Sequence, residues 1–107
     1  YKDGIKRLLN RFQKIKLIRA CNIDATVMAH TRHKYSHLIP DSDNSKNIEK
    51  AVSGEELYLL TKKAVVLLTC CILDYIGLSI DEINKCLEGS RVKQMTYYIV
   101  EREKHID

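Results

Sequence analysis

Six consecutive residues, Arg32-His33-Lys34-Tyr35-Ser36-His37, gather a guanidinium, an ammonium, a phenol and two imidazoles. Three kinds of behaviour fit those residue types. The simplest is a solvated polar cluster, because a pattern as short as R-x-x-x-x-H arises easily by chance. The second is a metal site. His30, His33 and His37 stand at i, i+3 and i+7, and His33 and His37 alone have the i, i+4 spacing that lets two imidazoles share a zinc ion. That reading is short of ligands: no E-x-x-H pattern lies nearby, Lys34 adds repulsion, and nothing in the pattern points to Asp41 and Asp43 in the following loop as the missing partners.

The third is acid–base cleavage of a phosphodiester. An RNA strand brings its own nucleophile, the ribose 2′-OH. The protein must then move protons near neutral pH, which suits histidine. It must also hold a cation against the charge growing on phosphorus, which suits the permanently charged fork of arginine. His37 is the candidate acid–base group and Arg32 the candidate phosphate clamp, with His33 and Lys34 as substrate-binding support. No metal or other cofactor is expected in this scheme. One geometric difficulty comes with it: positions i and i+5 lie about 140° apart on a regular helix. Arg32 and His37 converge only if the helix unwinds near Pro40, if the arginine curls round, or if the two act across a subunit boundary.

The elements that must position these groups are helical. Four glycines and one proline in 107 residues leave little material for the many turns of a β fold. Residues 4–16 place Ile5, Leu8, Leu9, Phe12 and Ile15 on one face, while Leu17 and Ile18 fall off that stripe, so the helix bends, ends or gains a second partner there. A second helix is predicted from about Ile23 to Leu38, with Ile23, Val27, Thr31 and Leu38 on its core side and Pro40 as its stop. Residues 40–52 read as the one long loop, with a short helical turn around Asn47–Ala51. Ser53 with Glu56 and Ser79 with Glu82 have capping-box spacing. The first opens a helix running to about Ile76, apolar nearly all round from Ala64 to Leu73 and so expected as the central pillar. The second opens a short helix to Gly89. Ser90 caps a fifth, Arg91 to about Arg102, with Val92, Met95, Tyr98 and Ile99 inward. The fold expected is all-α, a compact up-and-down bundle of about five helices in a single domain, residues 1–107.

Composition narrows the partners. Net charge is +4, but residues 1–20 carry seven lysines and arginines against Asp3 alone, a local +6. Such a field attracts a polyanion, RNA or DNA backbone being the usual one, although a solvated lysine face has the same composition. The four cysteines form no C-x-x-C pair, and no signal peptide is visible, which suggests a reducing, cytoplasmic setting. The longest apolar run has ten residues, too few to span a bilayer, so no membrane is expected.

The chain resembles the HEPN superfamily and, within it, the ApeA-like HEPN domains. The signature is an arginine, commonly followed by Asn, His or Asp, then three variable residues and a histidine near a helix end, here Arg32 to His37. The wider stretch Thr31–His37, a variable loop, Ser53-Gly54-Glu55-Glu56-Leu57-Tyr58, and Ile72-Leu73 to Ile76-Gly77-Leu78-Ser79 follow in the same order and at similar spacing, so the resemblance spans about residues 20–88. His33 departs from the subfamily's usual asparagine. The resemblance implies a helical homodimer with Arg32 and His37 gathered at the subunit interface. It also implies metal-independent endoribonuclease activity in stress or phage defence, and a place in the C-terminal part of a longer protein. Some relatives only bind RNA, nucleotides or proteins, so a non-catalytic helical RNA- or protein-binding or dimerisation module is the alternative.

Overall fold

The computed structural model describes residues 2–40 and 46–105. Six helices follow one another: α1 (Lys2–Arg11), α2 (Lys16–Cys21), α3 (Ala25–Ser36), α4 (Gly54–Tyr75), α5 (Ile80–Glu88) and α6 (Arg91–Glu103). No strand occurs among the described residues. The all-α bundle is as expected, with one helix more. The extra helix arises where Leu17 and Ile18 left the first stripe. The chain turns at residues 12–15, buries Phe12 and Ile15 completely, and restarts as α2 with Leu17, Ile18 and Cys21 inward. Two short helices let both apolar stripes reach the core, which one straight helix would not allow.

α1 packs on α3, while α2, α4, α5 and α6 form the other group of mutually packed helices. One apolar core joins them, from Ile5 and Met28 through Leu59, Val66 and Cys70 to Ile83, Leu87 and Ile99. Burial pushes the Cys70 thiol up to about 12 and raises Cys21 and Cys71 as well. These thiols therefore pack as small hydrophobes and stay protonated.

The ends of the helices follow local chemistry closely. Ser79 and Glu82 form the reciprocal capping box, Ser79 N–H donating to Glu82 Oε1 at 3.0 Å and Glu82 N–H to Ser79 Oγ at 3.2 Å. Ser90 Oγ accepts from Val92 N–H at 3.2 Å. Gly77, at φ 105°, ends α4 with Leu78 N–H reaching back to Leu73 O. The box expected at Ser53 is absent. Gly54 adopts φ +60°, which turns the backbone between Ser53 and the helix, and the Ser53 side chain makes no capping bond.

Three expectations about faces need correction. α4 is not surrounded: Leu59, Lys63, Val66, Leu67 and Cys70 face inward, while Val65, Leu68 and Ile72 on the opposite side are exposed. On α6, Thr96 takes the fully buried place beside Ile99, and Tyr98 is exposed. Thr96 is accommodated because its hydroxyl donates to Val92 O at 2.9 Å. On α3 the buried residues are Ala25, Met28 and Thr31, and Leu38 lies beyond the helix, 86% exposed.

Candidate active site

α3 is held at both ends. Asp24 Oδ1 accepts from the backbone N–H of Thr26 and Val27, at 2.9 and 3.1 Å, and fixes the start. At the other end, His37 is the first residue outside the helix, and its N–H still reaches His33 O at 3.2 Å. Ile39 N–H then bonds Lys34 O at 2.9 Å, around Leu38 at φ +52°. This is the six-to-one closure of a Schellman turn, built on a leucine where glycine is usual. A leucine in the left-handed region costs roughly 1–2 kcal/mol. That strain sits directly after His37.

The loop is fastened along α3. Lys50 N–H donates to His30 Nδ1 at 3.1 Å, and Val52 N–H to Thr31 Oγ1 at 3.1 Å. The Tyr35 hydroxyl donates to Val52 O at 3.2 Å. Ile48 is buried beneath this segment, and Ala51 N–H closes a single turn on Ile48 O at 2.9 Å, where the sequence suggested a helical turn. His30 thus spends its Nδ1 lone pair on the loop backbone, so that nitrogen is an acceptor and not a metal ligand in this arrangement. Among the described residues, no three His, Cys, Asp or Glu side chains come together as metal ligands. Asp41 and Asp43, the acids of the zinc reading, lie outside the described residues.

Arg32 and His33 meet in a cleft of about 340 Å³, together with Lys2, Ala29, His30 and Asn47. The His33 ring also lies against that of His37, with centroids 4.6 Å apart and planes inclined by 52°. The unwinding route for bringing His37 to Arg32 is not taken, because His37 keeps its helical hydrogen bond. Instead His33 touches both halves of the site. Lys34 is half-buried, its ammonium 5.5 Å from the Tyr35 ring centroid, and does not line the cleft.

Two cleft residues escaped the sequence reading. Lys2 was visible only as one of many N-terminal cations, and it reaches the cleft because α1 packs on α3. Asn47 was legible only as the start of a short turn and not as a cleft residue, since the loop is fastened to α3 through its backbone N–H groups. Not every basic residue of the N-terminal segment is turned to a ligand: Arg11 forms a two-pronged pair with Asp74, Nε to Oδ2 at 2.7 Å and Nη2 to Oδ1 at 2.6 Å.

No curated protein and no solved structure matches this chain significantly. A protein-family comparison does match, to Apea-like HEPN over residues 1–82. The match takes in α1, which the resemblance read from sequence left out, and it contains every residue of the cleft. Covering more than three quarters of the 107 residues, it establishes that the chain belongs to the Apea-like HEPN family.

Proposed function

We propose that this domain is a metal-independent endoribonuclease. Membership of the HEPN family points to a nuclease or other RNA-related function. The single observation that carries the finer reading is the continuity of the site, with Arg32 and His33 in one cleft and the His33 ring against His37.

In the proposed reaction His37 takes the proton of the ribose 2′-OH as that oxygen attacks phosphorus. The P–O5′ bond breaks, the leaving O5′ takes a proton from solvent water, and His37 returns its own proton to solvent. The products are a 2′,3′-cyclic phosphate and a 5′-hydroxyl. Arg32 holds the non-bridging oxygens, whose charge grows in the transition state. His33 assists from between them, Lys34 adds a cation for the strand, and the basic α1, with Lys2 in the cleft, gathers the backbone. In a homodimer the two Arg–His sites gather at the interface, which supplies the across-chain route for an arginine and a histidine set apart on one helix. The biological setting we propose is stress or phage defence in the cytoplasm.

Purified protein incubated with total RNA gives the test. Wild type is expected to produce fragments, and Arg32→Ala and His37→Ala each to lower the rate by about a hundredfold or more, the usual scale for a proton-transfer group or a charge-stabilising donor. Helical content should be unchanged, since both side chains are solvent-exposed. Unchanged cleavage in either variant assigns the chemistry to other residues. Intact RNA with wild type points to the non-catalytic binding module.

A further inference from the structure

His30 lies outside the R-x-x-x-x-H pattern and has no part in the reaction written above, yet it lines the same cleft as Arg32 and His33. The residue is half-buried, and its ring is oriented: Nδ1 accepts from Lys50 N–H at 3.1 Å. A backbone N–H can only donate, so Nδ1 must present a lone pair. In a neutral imidazole the other nitrogen then carries the hydrogen. The loop backbone therefore selects the Nε2–H tautomer of His30. While that bond is made, the ring has no free lone pair with which to act as a base.

The same bond completes the fastening of the loop. Residues 48–51 form one turn, closed by Ala51 N–H on Ile48 O at 2.9 Å. The turn is pinned at Ile48, which is buried, and next to it at Val52, whose N–H donates to Thr31 Oγ1 at 3.1 Å. Two pinned points leave a rigid turn able to rotate about the line that joins them. Lys50 on His30 is a third point and removes that freedom. Asn47 enters the cleft lining from the residue directly before this turn. The position of that wall of the cleft thus depends on His30.

The lining names the ligand chemistry. Lys2 and Arg32 bring cations from two helices, and no carboxylate is among the described residues that line the cleft. Such a set suits an anion, and a neutral N–H beside the cations adds direction to their charge. We propose that His30 is a binding and positioning residue of the cleft. Through Nδ1 it latches the loop wall that carries Asn47, and through Nε2–H it donates to a phosphate oxygen of the RNA strand. The donor half rests on the reading of the cleft as an RNA site. The latch half does not.

Two substitutions separate the halves. An asparagine carbonyl oxygen is bonded directly to Cγ, as Nδ1 is. A glutamine amide nitrogen lies one carbon further out, as Nε2 does. Nuclear magnetic resonance of the 15N-labelled chain reads the tautomer of His30 and the hydrogen exchange of the Lys50 amide, with circular dichroism to follow helical content. Binding is measured with an RNA strand carrying 2′-methoxy groups throughout, which offers phosphates but no attacking hydroxyl.

Wild type is expected in the Nε2–H tautomer. His30→Ala should speed Lys50 exchange about fivefold and weaken the strand about tenfold, the scale of one lost hydrogen bond to a neutral and to a charged partner. His30→Asn should restore slow exchange without restoring affinity, and His30→Gln should recover affinity without slowing exchange. An Nδ1–H tautomer in wild type, or Lys50 exchange unchanged in folded His30→Ala, overturns the latch. A His30→Asn variant that binds as tightly as wild type overturns the donor. Wild type that does not bind the strand at all overturns the RNA reading and the donor with it, while tautomer and exchange still decide the latch.

Discussion

His33 is where the two halves of the candidate site meet: it lines the cleft with Arg32, and its ring lies against that of His37. The R-x-x-x-x-H pattern was legible in sequence, and so was the difficulty of closing it on one helix. What sequence did not give was the set of contacts. His30 shares a face with His33 and His37, which suggested a metal, yet its ring nitrogen is taken by Lys50 N–H. A backbone donor from a loop twenty residues away leaves no mark in local spacing. Basic residues divide in the same way: Lys2 reaches the cleft, whereas Arg11 is committed to Asp74. The hydrogen bonds from Arg11 hold the Asp74 carboxyl below its ordinary value, against a smaller opposing effect of desolvation. A carboxylate with a lowered folded value stabilises the fold above its unfolded value, about 4, and loses that contribution as pH falls through the folded value. Asp74→Asn should therefore lower the melting temperature at pH 7. The gap from wild type should narrow as the pH drops through the carboxylate range, as thermal melts at stepped pH will measure.

At the scale of elements, sequence was most informative where structure is decided locally. Ser79, Ser90 and Gly77 mark helix ends because caps involve residues three or four apart. Pro40 lies four residues past the end of α3, with Leu38 taking the left-handed position between. Ser53 shows the limit of the same rule. Its spacing to Glu56 is identical to that of Ser79 and Glu82, but Gly54 at φ +60° turns the hydroxyl out of reach. The two serines should thus respond differently. Ser79→Ala is expected to destabilise the protein by about 1 kcal/mol, the usual value of an N-cap side chain, and Ser53→Ala to change little. Urea denaturation of the two variants compares them directly. Faces were harder to read than ends. Leu17 and Ile18 signalled the break after α1, but only the fully buried Phe12 and Ile15 show where the chain turns. The apolar run of α4 is as compatible with a seam as with a core, since hydropathy records that a face avoids water and not what covers it.

The molecule as a whole is flat. Its extents of 45 × 29 × 18 Å leave little depth for a helix covered on every side. This is the physical reason that α4, expected as a central pillar, shows one apolar face outward. The family match extends across α1 to α4 and contains every residue that lines the cleft. No helix is long and apolar enough to cross a membrane among the described residues. The central claim, that the Arg32–His33–His37 site cleaves RNA by activating the strand's own 2′-OH, has one direct measurement. Two oligonucleotides of the same sequence, one all-ribose and one with a single 2′-deoxy nucleotide at the mapped cut, are incubated with wild-type protein in the presence of a chelator. The all-ribose strand should be cut to a cyclic phosphate and the substituted strand should be bound but left whole at that position. Cutting of the deoxy-substituted position at the same rate would contradict the account.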